Sequence, residues 1–132
     1  MQRLQTRPQF QAALAGQTVA RTAHFALHCC PLTDNASPMK LESALSLFPH
    51  DGVWLGAMVP KRWAKRAVTR NAIKRQIYSL SSELEPTLAQ QAHVVRLRAA
   101  FDRVQYVSAA SAALKRAVRI ELQQLFSRAV AG

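Results

Sequence analysis

One short segment of this 132-residue chain carries side chains suited to binding a polyanion. Seven of the eighteen basic residues lie between positions 61 and 75, whereas no Asp or Glu occurs from Gly52 to Ser82. Like charges at this density repel one another unless a polyanion lies nearby. Arginine offers a planar fork to phosphate oxygens, and lysine a mobile point charge. We therefore expect phosphate contacts from Lys61, Arg62, Lys65, Arg66, Arg70, Lys74 and Arg75.

The same segment has the period of an amphipathic helix. At about 100° per residue, one arc is apolar and suited to a core; it consists of Thr69, Ile73, Ile77, Leu80 and Leu84. Arg70, Asn71, Lys74 and Arg75 face outward. The neutral amide of Asn71 both donates and accepts, so it suits a base edge, a ribose or a metal-bound water; an ordinary helix-surface role is the alternative. The spacing predicts a helix over about 66–81 after a basic loop at 61–65.

Carboxylates in this chain are few and scattered. The seven acids are Asp34, Glu42, Asp51, Glu83, Glu85, Asp102 and Glu121. Most lie in predicted connections or at helix ends, so no pair is expected to converge for acid–base catalysis. Four scattered glycines exclude a glycine-rich phosphate-binding loop. We expect no catalytic residue in this chain.

A cluster of histidine and cysteine suggests a metal site at first sight. On a strand His24 and His28 share one face, whereas Cys29 lies on the other. Adjacent cysteines on opposite faces fit the four convergent ligands of a zinc site badly. The sequence therefore favours one buried and one exposed thiol, and no metal site.

The basic segment resembles the signature helix of the bacterial ribonuclease P protein component. The resemblance is based on Lys61-Arg62, Ala67, Arg70-Asn71 and Ile73-Lys74-Arg75. The family has Arg-Asn-Arg followed by Ile-Lys-Arg, and this chain departs from it at Ala72, which removes one guanidinium. The resemblance covers most of the chain but is specific only over about 59–77.

The resemblance implies a subunit of a ribonucleoprotein endoribonuclease. In that family an RNA subunit with bound Mg²⁺ removes the 5′ leader from precursor tRNA, and the protein raises the affinity for substrate and metal. The implied partners are the ribonuclease P RNA and the leader, with Mg²⁺ held mainly by the RNA subunit and the substrate.

The resemblance also implies a cleft for the leader between the first helix and a sheet face. The matching positions are Phe10, Leu14 and His28, the last two standing where the family often has aromatics. Arg96 and Arg98 project from one face of a predicted strand and are placed to close this groove. The alternatives are core packing for Phe10 and an exposed strand position for His28.

The hydrophobic pattern predicts an α/β (α+β) two-layer sandwich of order α-β-β-α-β-α. A helix starts at a Thr6 capping box and stops at Gly16. One long, bent strand is expected over Val19–Cys30, others over 53–59 and 93–98, and a last helix over about 108–129. We expect one sheet with its helices on one side. The resemblance adds a left-handed β-α-β crossover, against the general right-handed rule.

Composition limits the classes of protein to which this chain can belong. A content of 49% apolar and 19% charged residues is typical of a globular chain, so we expect a single RNA-binding domain over 1–132 with a loop insertion at 32–51. No apolar run approaches the roughly 20 residues of a membrane span and no signal peptide is evident, which predicts a cytoplasmic protein without a membrane partner.

A ribosomal-type structural RNA-binding protein is the main alternative. A DNA-binding module would need a partner helix just before the basic one, whereas this chain has a predicted strand and a proline there. The oligomeric state stays open.

Overall fold

The fold is described from a computed structural model over residues 1–32, 48, 52–101 and 112–131. Its strands are β1 (Gln2–Arg3), β2 (Gln17–Arg21), β3 (Phe25–Cys30), β4 (Trp54–Met58) and β5 (Ala92–Leu97). Its helices are α1 (Arg7–Ala15), α2 (Ala67–Leu84) and α3 (Ala112–Ala131), with a 3-10 turn at Glu85–Thr87 after α2. The predicted insertion at 32–51 lies almost wholly outside these residues, as does the predicted start of the last helix near 108.

The five strands form one sheet in the order β1-β4-β5-β3-β2. Strand β4 is parallel to both β1 and β5, whereas β3 is antiparallel to β5 and β2. Helix α2 joins the adjacent parallel strands β4 and β5, so the predicted parallel strand-helix-strand unit is confirmed. The hand of that crossover stays a prediction from the resemblance.

The single bent strand predicted over Val19–Cys30 is wrong, because this segment forms the antiparallel hairpin of β2 and β3. Thr22 closes the turn without glycine or proline. Its N–H donates to the Phe25 carbonyl at 2.9 Å, and its hydroxyl accepts from the Phe25 N–H at 3.3 Å. A side-chain hydroxyl thus substitutes for the usual turn residues. A register shift between Thr18 and Ala20 also interrupts the alternation of faces.

Helices cover both faces of the sheet. Helices α2 and α3 pack on the face that carries Leu27, Leu55 and Val95, and α1 packs on the face that carries Trp54 and Val94. The expectation that all helices lie on one side is therefore wrong. The reason is that these strands are apolar at successive positions, so both faces need a cover. The α/β class, with one sheet packed by helices, is confirmed.

The predicted start and end of α1 are confirmed by its caps. The Gln9 N–H donates to the Thr6 hydroxyl at 3.4 Å, and the Thr6 N–H donates to the Gln9 side-chain carbonyl at 3.1 Å. The Gly16 N–H donates to the Ala13 carbonyl at 3.2 Å. This reciprocal capping box fixes the helix on its sheet face.

Gly56 sets the distance between β4 and α1. A Cβ built at this position would lie 2.5 Å from Cε1 of Phe10 and 2.9 Å from Cδ1 of Leu4. We expect Gly56→Ala to push the Phe10 ring aside and to lower the free energy of unfolding by about 1–2 kcal/mol. Urea denaturation measures this loss. Phe10→Leu in the Gly56→Ala background should recover part of it, and strictly additive losses would contradict the contact.

Candidate nucleic-acid interface

Helix α2 presents its basic face from a firmly anchored position. Ile73, Ile77 and Leu80 are buried, and Leu84 packs against the same core, as the apolar arc predicted. The Ser81 hydroxyl is buried and donates to the Ile77 carbonyl at 2.6 Å. Because the inner face is packed against the core, the side chains on the outer face keep fixed positions relative to the rest of the protein.

Most of the predicted phosphate-binding side chains lie on the protein surface. Arg70 and Lys74 are half-buried, and the exposed members are Lys61, Arg62, Lys65, Arg66, Asn71 and Arg75. Ala72, the position at which the signature lacks its guanidinium, is only 8% exposed. A small apolar residue therefore suits this position in this chain. The loop and the helix together form one basic surface, called here the α2 surface.

Arg70 has a structural task that the sequence did not reveal. Its Nη1 donates to the carbonyls of Ala64 at 3.0 Å and Lys65 at 2.9 Å. The N–H groups of Trp63 and Ala64 both donate to the Pro60 carbonyl at 3.1 Å. These bonds give the basic loop a defined turn, so Arg70 orders the neighbouring cations as well as carrying charge. Trp63 packs partly buried against the core, in line with its interpretation as a packing residue.

Two depressions flank the ridge formed by Asn71 and Arg75. The first, of about 470 Å³, is lined by Arg3, Asn71, Lys74, Arg75, Tyr78, Ser79 and Ser82. The second, of about 300 Å³, is lined by Val68, Asn71, Ala72, Arg75, Gln76 and Lys115. Neither set contains an acidic residue. Arg3 and Lys115 were missed at the sequence level because they reach the α2 surface from distant elements, and no local pattern marks them.

His28 and Arg96 form a polar pair on the face covered by α1. Arg96 Nε donates to His28 Nε2 at 3.3 Å, so Nδ1 carries the proton and donates to the Thr18 hydroxyl at 3.0 Å. His28 is only 6% exposed, so its interpretation as an exposed strand residue is wrong. Burial, followed by the charges of Arg96 and Arg21, lowers the pKa of His28. The imidazole is thus held neutral.

The other predicted cleft residues divide between this face and the hairpin turn. Phe10 and Leu14 are half-buried and pack with Met58 in the cluster beneath α1, so Phe10 has a packing role. The guanidinium of Arg98 instead reaches the β2–β3 turn, where Nη1 donates to the Thr22 carbonyl at 2.8 Å. The structure therefore brings Phe10, Leu14, His28 and Arg96 to one sheet face and leaves Arg98 at its border.

The lowered pKa of His28 gives the stability a defined pH dependence. Because the folded-state pKa lies below the ordinary value of 6.5, the unfolded chain takes up a proton first as the pH falls. Stability present above about pH 6.5 is therefore lost as the pH falls from there towards the folded-state pKa. We expect His28→Gln to flatten the unfolding free energy between pH 7 and pH 5. The buried His93, whose pKa is also lowered, should supply the remaining slope, which His93→Gln removes. An unchanged slope in His28→Gln would contradict this assignment.

The two cysteines are free thiols. Burial raises the pKa of Cys29, and burial together with the neighbouring Cys29 raises the pKa of Cys30 to about 11. Both are therefore neutral and unreactive near pH 7. Over the described ranges no three His, Cys, Asp or Glu side chains converge as metal ligands. In the same part of the chain no helix combines the length and apolarity needed to cross a membrane.

These features are typical of a small α/β nucleic-acid-binding protein. A basic helix packed on the core forms one surface, whose two depressions are lined by no acidic residue of the described part of the chain. A sheet face beneath α1 carries a neutral histidine paired with an arginine. The charge distribution, with a net charge of +11, matches a polyanionic partner.

Comparison with known proteins identifies the family. The family model described as Ribonuclease P matches residues 1–129. A ribonuclease P protein component from Bordetella parapertussis is 34% identical over 129 residues, covering 96% of this chain and 89% of the relative. One from Ralstonia pickettii is 34% identical over 124 residues, covering 94% and 76%. The chain therefore belongs to the ribonuclease P protein family, as the signature residues predicted, and this membership supports a role in ribonuclease P and tRNA processing.

The fold agrees with a solved member of that family. The structure of the Staphylococcus aureus RNase P protein superposes with a TM-score of 0.66 at 17% identity, and the match covers 96% of this chain and 94% of that one. At this identity the likeness concerns the fold alone, and it confirms the mixed α/β architecture.

Proposed function

We propose that this chain is the protein subunit of ribonuclease P and assists a catalytic RNA subunit in removing the 5′ leader from precursor tRNA. The observation that carries the proposal is the α2 surface, where an anchored helix and an ordered loop present basic side chains around two depressions, neither lined by an acidic residue among the described positions. Seven cations in a fixed order suit the regular phosphate spacing of folded RNA better than a mobile basic tail would.

The two surfaces divide the task. The α2 surface binds phosphates, through forks from arginine and point charges from lysine. If about six contacts form, the logarithm of the binding constant should fall against the logarithm of salt concentration with a slope near −4 to −5. The leader binds in the cleft that the family resemblance implies between α1 and the sheet. There Phe10 and Leu14 supply apolar contacts, and Arg96, held by the neutral His28, supplies the charge beside unpaired nucleotides.

Magnesium belongs to the RNA side in this proposal. Mg²⁺ prefers carboxylate and phosphate oxygens, and carboxylates in the described part of the chain are already engaged. Glu121 binds the β2–β3 turn and Glu83 pairs with Arg119. The described residues therefore do not fit a Mg²⁺ site. What this chain contributes is substrate affinity, which favours cleavage at low Mg²⁺ by placing cations near the phosphates that Mg²⁺ would otherwise have to screen.

The test is cleavage of a precursor tRNA at low Mg²⁺ by a bacterial ribonuclease P RNA, with and without this chain. We expect the chain to restore accurate maturation of the 5′ end and to favour leader-bearing over mature tRNA. Tight RNA binding without restored cleavage would move the assignment to a ribosomal-type RNA-binding protein. Cleavage by the chain without an RNA subunit would overturn the proposal.

A further inference from the structure

The larger depression beside α2 contains an arginine and a tyrosine arranged as a stacked pair. Strand β1 pairs with β4 so that Arg3 lies opposite Leu55, and the guanidinium carbon of Arg3 stands 4.0 Å from the centre of the Tyr78 ring. This distance is that of a cation–π contact. Arg3 is exposed, whereas Tyr78 is half-buried. The guanidinium therefore lies over the ring, and both side chains line the depression.

The ring beneath that guanidinium is fixed. Strand β1 extends only over Gln2–Arg3, so it does not pair with β4 as far as Ala57. The Ala57 N–H donates instead to the Tyr78 hydroxyl at 3.2 Å. Tyr78 thus completes the edge of β4 and is held at its hydroxyl end by backbone. A guanidinium lying on a fixed ring loses little freedom when a ligand binds it.

The rest of the depression supplies phosphate ligands. Lys74 and Arg75 add positive charge, and Ser79 and Ser82 add hydroxyl groups. The volume of about 470 Å³ is of the order of one nucleotide with its phosphate. Arginine planes stack on unpaired bases as aromatic rings do, and single-stranded RNA is bound by such stacking beside a charged groove.

We propose that this depression is a binding site for one unpaired RNA nucleotide, with its base stacked on Arg3 and its phosphate held by Lys74 and Arg75. The inference rests on the proposed function only for the choice of RNA as the partner. It extends the RNA-binding surface beyond the signature segment to the first strand, and it gives Tyr78 the role of a positioning residue for Arg3.

The experiment follows the Arg3 Hε and Tyr78 ring NMR resonances of the full chain during titration with a uridine octamer and with an abasic octamer of the same backbone. We expect both residues to shift, and the uridine octamer to bind more tightly at this site. Arg3→Ala should weaken binding reported by the Lys74 and Arg75 resonances by roughly tenfold. Arg3→Lys should keep the salt dependence but lose most of the preference for bases over the abasic backbone.

Arg21→Ala is the matched control. It removes an exposed arginine from β2, at the opposite edge of the sheet and about 19 Å from β1 by strand spacing, so binding in the depression should stay unchanged. Equal affinity for both octamers, or equal affinity of Arg3→Ala and the parent chain, would overturn the inference. If the Arg3 and Tyr78 resonances shift but the chain does not restore precursor cleavage, the proposed function is wrong and the nucleotide site is supported. If cleavage is restored but these resonances do not shift, only the nucleotide site is wrong.

Discussion

Glu121→Ala is expected to lower the free energy of unfolding by about 3 kcal/mol. The Glu121 carboxylate on α3 is 13% exposed and accepts three hydrogen bonds from the β2–β3 turn. The Thr22 hydroxyl and the His24 N–H donate to Oε2 at 2.6 and 2.7 Å, and His24 Nδ1 donates to Oε1 at 2.7 Å. Hydrogen bonds to a charged group contribute roughly 1.5–3 kcal/mol each before non-additivity, and removing the acceptor leaves their donors partly buried.

Glu83→Ala is the matched control for that substitution. Glu83 also lies on a helix and pairs with Arg119, but its side chain is 58% exposed. An exposed ion pair contributes about 0–1 kcal/mol, so this variant should be nearly as stable as the parent chain. Urea denaturation of the two variants side by side measures the difference. Equal losses would show that the Glu121 contacts do not hold the hairpin to α3.

We expect Arg70→Ala to weaken binding to a bacterial ribonuclease P RNA by about tenfold or more. This loss should exceed the loss expected from removing one phosphate contact. The reason is that Arg70 Nη1 holds the carbonyls of Ala64 and Lys65. Without it the basic loop loses its fixed turn, and the cations at 61, 62, 65 and 66 must be ordered again on binding. That ordering costs conformational entropy.

Two measurements distinguish the contribution of the Arg70 charge from its role in ordering the basic loop. Trypsin should cut after Lys61, Arg62 or Lys65 faster in Arg70→Ala than in the parent chain, because protease sites in a loop are protected by its bonds. Arg75→Ala removes one exposed charge from the same helix and should leave the proteolysis rate unchanged. Arg70→Lys keeps the charge but not the planar group. If Arg70→Ala and Arg75→Ala weaken RNA binding equally and proteolysis does not change, Arg70 acts only as a charge.

The sequence predicts best where one local pattern decides the outcome. The capping box at Thr6 fixes the start of α1, and the apolar arc through Ile73 and Ile77 fixes which side of α2 faces the core. In both cases the interacting residues lie within four positions of one another, so helix geometry alone brings them together. The signature around Arg70 and Asn71 then identifies the family.

What the sequence does not predict depends on contacts between distant residues. The alternation over Val19–Cys30 continues through Thr22, and only the bonds from Thr22 to Phe25 and Glu121 show that the chain reverses there. His28 has the pattern of an exposed strand residue, yet α1, Thr18 and Arg96 bury it. Strand β1 is two residues long, below the length at which periodicity is visible. Arg3 is therefore missed, because nothing near it in sequence indicates that Tyr78 lies beneath it.

The contacts of Glu121 also constrain the order in which this chain can fold. Its hydrogen bonds to His24 and Thr22 span 97 and 99 residues, and β3 pairs with β5 across more than sixty. Pairings this distant in sequence slow folding, because the intervening chain must be closed before they form. A nascent chain that has formed the hairpin but not α3 lacks the Glu121 carboxylate that holds the turn. We therefore expect the native sheet to assemble only after synthesis reaches α3, so that fragments ending before residue 112 stay protease-sensitive even though they contain the complete basic helix.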